Sequence, residues 1–240
     1  MLLKAIQCHV LPEQQDLFSR GQERWAALAG LQGFTSQQGG WQQHTAWVFG
    51  WWQNWDDYSA FMSEHHDPIF ERSGQNGTYR DSDISFWQSL PSAQIDRRRN
   101  LKHSPTASTL PLATEAGLSE AQHELILLEL LQLAPGAWAD FDDFLTWRWR
   151  PGLAGAGGLA SARVCQHRKL PGRYLSWSRW QEGSDPIGMA RLLQPGFRLP
   201  HRRTQLFRSL SQIKIAVEPK WEVNSPVDSV DQPTNRPLPD

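Results

Sequence analysis

Two adjacent histidines, His65 and His66, are the side chains of this 240-residue chain that best suit acid–base chemistry. An imidazole gains and loses a proton near neutral pH, so it can serve as a general base. Helical spacing puts His65 on one stripe with Phe61 and Met62, which predicts an inward-facing base. His66 lies about 100° further round the helix. We predict both as catalytic residues; the alternative is a buried structural histidine that hydrogen-bonds a carbonyl group or Asp67.

Polar and aromatic side chains from the predicted strands are candidates for the walls of a substrate cavity. Gln7 and His9 share one face of the first strand, which places them together in a pocket or together inside a barrel. Tryptophan side chains suit an aromatic substrate, although such a cluster is also common in an ordinary core. The predicted substrate-binding residues are Gln7, His9, Trp41, Trp52 and Trp55.

The motifs give little support to other catalytic chemistries. The two histidines diverge on their helix, and no metal-ligand spacing joins them to a third ligand, so we predict no metal site. Cys8 and His9 point to opposite faces of a strand and cannot form a nucleophile–base pair. The sequence contains no phosphate-binding loop and no nucleophile elbow.

Composition and charge narrow the class of protein. A net charge of −1 creates no field that would attract nucleic acid, so we expect no nucleic-acid partner. The longest apolar run, residues 125–133, is interrupted by Glu129 and Gln132, so we expect no membrane partner. The first residues do not resemble a secretion signal, and Cys8 and Cys165 fit a pair of reduced thiols. We therefore expect a cytoplasmic protein.

Hydrophobic periodicity predicts the order β-α-β-β-α-β twice along the chain, which is the ferredoxin-like arrangement. The Trp52-Gln53 ending of one predicted strand returns as Trp180-Gln181 in the second half, which indicates a tandem repeat. We predict an α+β fold in which two tandem ferredoxin-like units pack their sheets face to face as an intrachain α/β barrel. Such a chain is expected to be a monomer (a pseudo-dimer) or to pair again as a homodimer.

The predicted elements also divide the chain into segments. Strands are predicted at residues 2–10, 34–41, 44–53, 83–90, 124–134, 159–169, 173–182 and 204–217. Helices are predicted after Pro12, after Asp56, after Pro135 and at 185–193. The expected domains are a first ferredoxin-like unit at 1–91, a linker at 92–121, a second and divergent unit at 122–222, and a disordered tail at 223–240.

Four segments of the first half resemble the YdbC-like family of bacterial proteins: Gly39-Gly40-Trp41, Gly50-Trp51-Trp52, Tyr58-Ser59-Ala60-Phe61-Met62 and His66-Asp67-Pro68-Ile69-Phe70. The resemblance implies a member of the dimeric α/β-barrel superfamily and carries no established function. More distantly, the helix that starts at Trp55 is similar to the second helix of antibiotic-biosynthesis-type monooxygenases. Their haem-degrading relatives use a histidine of this helix together with an Asn, where this chain has Gln7.

Three hypotheses about function follow. The first is a cofactor-independent monooxygenase for a small hydrophobic or aromatic substrate, with His65 or His66 as the base. The second is a protein that binds haem or another small ligand, with His65 as an axial ligand of the haem. The third is a non-catalytic structural barrel. We expect at most one site per chain, in the first unit, because the predicted helix at 185–193 contains no histidine.

Overall fold

The computed structural model describes residues 1–96, 124–184, 186 and 205–226. Within them the strands are β1 (Leu2–Val10), β2 (Phe34–Gln42), β3 (Thr45–Trp52), β4 (Tyr79–Asp96), β5 (Leu125–Leu133), β6 (Leu159–His167), β7 (Arg173–Trp180), β8 (Phe207–Val217) and β9 (Val223–Asn224). The α-helices are α1 (Gln15–Glu23), α2 (Trp55–Glu64), α3 (His66–Ser73), α4 (Trp138–Phe144) and α5 (Arg150–Ala154), and a π-helical turn at Leu145–Trp149 joins the last two. Short 3-10 segments are Pro12–Gln14, Arg24–Gly30 and Pro219–Trp221.

Eight of the described strands close into an antiparallel barrel. Their order is β3-β1-β4-β6-β7-β5-β8-β2, and β2 pairs back onto β3. The strands β1–β4 form the first sheet, and β5–β8 form the second. The two sheets join at two places: Trp87 of β4 pairs with His167 of β6, and Gly40 of β2 pairs with Val217 of β8. The predicted fold is therefore confirmed: two ferredoxin-like units of one chain form an α/β barrel.

Alternation along β1 separates two cores on opposite faces of the first sheet. Leu3 and Ala5 face the barrel interior, where they join a cluster with Trp51 and with Trp177 of the second sheet. The even-numbered side chains of β1 face outward, toward α1, α2 and α3. Leu2, for example, belongs to a cluster with Phe61 of α2. A ligand site in the first unit can therefore lie on either face, and the side-chain register decides which residues belong to it.

The structure also adds detail at the predicted segment boundaries. β4 continues to Asp96, beyond the expected end of the first unit at 91, because its last residues pair with β6. β9 lies at the start of the expected tail, where Val223 is buried and pairs with Gln37 of β2. The predicted helix at 185–193, most of the predicted linker and the tail from 227 onward lie outside the described residues. Within the described part of the chain, every helix is too short or too polar to cross a bilayer.

Candidate functional site

A cavity of about 210 Å³ lies between the outer face of the first sheet and the helices that cover it. β1 contributes Lys4, Ile6 and Cys8 to its floor, in the alternation expected for one face of a strand. The wall is mainly apolar and aromatic and includes Phe18, Trp25, Val48, Trp52, Phe61 and Ile84. An apolar hollow with a few polar groups is the usual form of a small-molecule site.

His66 reaches this cavity because the helical segment breaks one residue before it. α2 ends at Glu64, His65 leaves the helical conformation with φ −127° and ψ −23°, and α3 begins at His66. Pro68 in the first turn of α3 lacks a backbone N–H, so it favours a new helix start over a continuous helix. The restart changes the rotational phase, and His66 turns toward the cavity.

Neighbouring side chains fix the imidazole of His66. Its Nδ1 lies 2.8 Å from Oδ1 of Asp67, and its ring stacks on Phe70 with 5.9 Å between centroids. The His66 side chain is 22% exposed. When Nδ1 carries the proton, it donates to the Asp67 carboxylate and leaves Nε2 as an acceptor. This arrangement suits a general base at the edge of an apolar cavity.

His65 lies elsewhere. Its side chain is 48% exposed, and its Nε2 lies 3.8 Å from Oε2 of Glu64. It lines a separate surface depression with Leu31 and Asp57. The expected inward orientation of His65 is therefore corrected: its backbone N–H still donates to the carbonyl oxygen of Phe61 at 2.9 Å, but its ring lies in this surface depression and not in the cavity.

Gln7 and His9 lie on the barrel-facing side of β1, the face that also carries Leu3 and Ala5. Nε2 of Gln7 lies 3.4 Å from Nε2 of His9, and His9 is 3.7 Å from the carboxylate of Asp81 near the surface. The cavity lies on the opposite face of the same strand. The sequence left two placements open for Gln7 and His9, a pocket or the barrel interior, and the structure places both on the barrel side.

The three predicted tryptophans occupy different positions. Trp52 is buried in the cavity wall and stacks on Phe61 with 4.8 Å between centroids. Trp41 packs edge-on against Phe18 behind that wall. Trp55 is 40% exposed, and the guanidinium of Arg168 lies over its ring at 4.1 Å. The cavity thus brings together His66 and Trp52 of the seven predicted site residues, and their roles remain predictions.

Lys4 is the main cavity residue that the sequence analysis missed. It is 9% exposed, and its Nζ lies 5.3 Å from the centroid of the Tyr58 ring. Within the described residues it has no carboxylate partner. Burial lowers the pKa of Lys4 to about 8, against a smaller raising effect of Cys8. The sequence does show a lysine on the apolar stripe of β1. An unpaired lysine is unfavourable on a strand face that packs only against core, so its presence indicates a cavity or a ligand.

Cys8 is a neutral thiol in this environment. Burial raises its pKa to about 12, although Lys4 acts in the opposite direction. Because the thiolate is the nucleophilic form of cysteine, Cys8 contributes to the cavity as a small apolar side chain.

Gln75 closes one end of the cavity with hydrogen bonds inside the protein. Its Oε1 accepts from Nε1 of Trp25 at 2.7 Å. Its Nε2 donates to the carbonyl oxygen of Phe18 at 3.2 Å and to Oε1 of Gln22 at 3.0 Å. Both N–H groups of this amide are engaged, so it holds α1 against the segment after α3. Among the described residues, no group of three or more His, Cys, Asp and Glu side chains could hold a metal ion.

Comparison with known proteins places the cavity within a family segment. The domain of unknown function DUF4937 matches residues 2–87. The uncharacterized protein YdbC of Bacillus subtilis (strain 168) is 30% identical over 93 residues, which are 37% of this chain and 78% of YdbC. The chain belongs to this family. All residues that line the cavity, from Lys4 to Ile84, fall within the matched segment.

Solved structures extend the likeness to the whole barrel. A candidate monooxygenase from Lactobacillus acidophilus NCFM has a TM-score of 0.61 at 8% identity, over 93% of this chain and 95% of that one. A second candidate monooxygenase, from Fusobacterium nucleatum subsp. nucleatum ATCC 25586, has a TM-score of 0.61 at 7% identity, over 93% and 94%. A candidate chlorite dismutase has a TM-score of 0.52 at 7% identity, over 92% and 96%. At such identities these likenesses show a shared fold.

Proposed function

We propose that the first-unit cavity binds a small phenolic aromatic molecule and that His66 catalyses its oxygenation by O₂ without an added cofactor. The observation that carries this proposal is the His66–Asp67 pair at the wall of an apolar cavity. A base held by a carboxylate can take the proton of a phenol. The apolar wall keeps water from the electron-rich ring that results.

The volume of the cavity sets the size of the substrate. An apolar cavity of about 150 Å³ accepts benzene, so about 210 Å³ suits a molecule of one or two rings. Drug-sized ligands occupy pockets of about 300–1,000 Å³, and haem, with its four linked pyrrole rings, is at least of that size. The cavity therefore does not fit haem.

The reaction needs only substrate and O₂. Nε2 of His66 takes the phenol proton, and the phenolate places electron density on the ring carbon para to its oxygen. That carbon bonds to O₂ and, after return of the proton from His66, carries a hydroperoxide. The O–O bond then breaks: one oxygen atom remains as the second carbonyl of a para-quinone. The other leaves as water with the proton from His66 and the ring hydrogen. The substrate supplies all electrons that reduce O₂.

Oxygen uptake with 1-naphthol tests the proposal. The protein is expected to consume one O₂ per quinone formed, and ¹⁸O₂ is expected to label the new carbonyl. A His66→Gln variant is expected to lose about 100-fold in rate, the lower range for loss of a general base. His65→Gln is the matched control, because it removes an adjacent imidazole outside the cavity, and it is expected to keep the wild-type rate. Equal losses in both variants, or no uptake above the buffer rate by the wild type, would contradict the proposal.

A further inference from the structure

Lys4, Gly50 and Gln37 form one row across three neighbouring strands of the first sheet. Lys4 of β1 pairs with Gly50 of β3, and Gly50 pairs in turn with Gln37 of β2. Paired residues of antiparallel strands present their side chains on the same face, and adjacent strands lie about 4.8 Å apart. All three residues line the cavity. Because Gly50 has no side chain, the floor between Lys4 and Gln37 is open.

Three side chains around this opening carry hydrogen-bond donors that have no protein partner among the described residues. Gln37 is 5% exposed, and its buried Nε2 makes no hydrogen bond within the described residues. The ammonium of Lys4 has no carboxylate partner in the same part of the chain. The indole Nε1 of Trp52 lies 3.5 Å from the point where a Cβ on Gly50 would be. Buried donors are nearly always paired in folded proteins, so the buried and unpaired Nε2 of Gln37, across the opening from the ammonium of Lys4, indicates a missing acceptor.

The charge of the cavity points to an anionic acceptor. Lys4 and His66 are its basic side chains, and none of the described lining residues is acidic. A buried cation is costly without a counter-charge, and a charge-assisted hydrogen bond to a carboxylate is among the strongest available. The amide of Gln37 and the indole of Trp52 can donate to further lone pairs of a carboxylate.

We propose that Lys4, Gln37 and Trp52 bind the carboxylate of an aromatic acid above Gly50, on the sheet side of the cavity, while His66 faces the ring from the helix side. The proposal rests on the proposed function and names its substrate class: hydroxylated aromatic carboxylates of one or two rings. The carboxylate anchors one end of the molecule, and the phenol group faces the base.

A matched pair of ligands tests the subsite. 2-Naphthoate and 2-naphthamide have nearly the same shape, but only the first is an anion. In calorimetric titrations of the full chain at pH 7, naphthoate is expected to bind at least tenfold more tightly. Lys4→Met is expected to remove this preference and keep the binding of naphthamide. Lys220→Met, which removes an exposed lysine outside the cavity, is the control and is expected to keep the preference.

A second variant addresses the opening itself. A Cβ on Gly50 meets the Trp52 indole at an ordinary contact distance, so Gly50→Ala is expected to fold normally. The added methyl group fills the space between Lys4 and Gln37. The variant is expected to bind naphthoate at least tenfold more weakly, with a smaller change in its affinity for naphthamide. Equal affinities of the two ligands for the wild type, or a preference that survives Lys4→Met, would overturn the carboxylate subsite alone. If neither ligand binds the wild type at millimolar concentration, the proposed aromatic cavity itself is wrong.

Discussion

Nδ1 of His66 lies 2.8 Å from Oδ1 of Asp67 within the first turn of α3. A carboxylate at this position is also favoured by the partial positive charge of a helix N-terminus. The stacked ring of Phe70 holds the other side of the imidazole. The orientation of His66 is therefore set by its own helix, and the break before α3 decides whether the base reaches the cavity.

Asp67 is expected to act as a positioning residue. Asp67→Asn keeps the size of the side chain but weakens its acceptance of the Nδ1 proton, so kcat for 1-naphthol oxygenation is expected to fall about tenfold. KM is expected to stay unchanged, because Asp67 does not line the cavity. Glu64→Gln, beside the exposed His65, is the control. Steady-state oxygen uptake measures both parameters, and an effect on KM alone would contradict a role in orienting the base.

Replacement of Lys4 is expected to stabilise the fold. Its folded-state pKa of about 8 lies below the ordinary value of 10.5, so the unfolded chain holds the proton more tightly. The burial penalty, about 3 kcal/mol, is fully present below pH 8 and declines as pH rises from about 8 to 10.5. Lys4→Met is expected to raise the free energy of unfolding at pH 7 by about 1–3 kcal/mol.

Urea unfolding of both proteins at pH 7 and pH 10 checks this prediction. The contributions of other titrating groups cancel when the unfolding free energy of the wild type is subtracted from that of the variant at the same pH. The gain of the variant over the wild type is expected to shrink at pH 10. If Lys4→Met is less stable than the wild type at pH 7, the ammonium of Lys4 has a protein partner in solution.

The affinity for 2-naphthoate is expected to depend on the charge of Lys4. Affinity is expected to be constant up to about pH 7.5 and to fall, by up to about tenfold per pH unit, above pH 8. Tyr58 and Cys8 face the same amine, and burial raises the pKa of each to about 12, so both stay neutral in this range. Burial also raises the pKa of Tyr79.

Among the described residues that line the cavity, His66 is the one other basic group. The pH series is therefore measured by calorimetry on His66→Gln. A flat profile to pH 10 would show that Lys4 does not contact the carboxylate.

Asn54 is expected to stabilise the helical wall of the cavity. Its side chain caps α2 by accepting from the backbone N–H of Asp57 at 2.9 Å. Asn54→Ala is expected to lower the free energy of unfolding by about 1 kcal/mol, and Asn54→Ser, which keeps an acceptor and adds no carboxylate beside Asp57, much less. Thermal unfolding of both variants provides the comparison. Equal losses would mean that the cap does not depend on the side-chain acceptor.

The fold could be predicted because alternation and turn residues repeat over many positions. The strand 2–10 was predicted from its alternation and matches β1, and 159–169 and 173–182 extend β6 and β7 by two residues. Alternation fixes which residues share a face, but it does not say which face meets the helices. For that reason Gln7 and His9 could be predicted to share one face of β1, whereas the sequence did not decide whether that face meets the helices or the barrel interior.

The candidate site depends on single residues and was harder to predict. Pro68 indicates a helix break but not its position, and a shift of one residue exchanges the orientations of His65 and His66. Gln37 and Gly50 carry no local signal, because their meaning comes from pairing across β2 and β3. Lys4 did carry a signal, as a charged side chain on an apolar stripe.

A crystal structure with 2-naphthoate tests the central claim most directly. We predict one molecule per chain, with its rings between Trp52 and His66 and its carboxylate within hydrogen-bond distance of Lys4 Nζ and Gln37 Nε2. Naphthoate bound elsewhere, or the same cavity filled by protein side chains, would contradict the account.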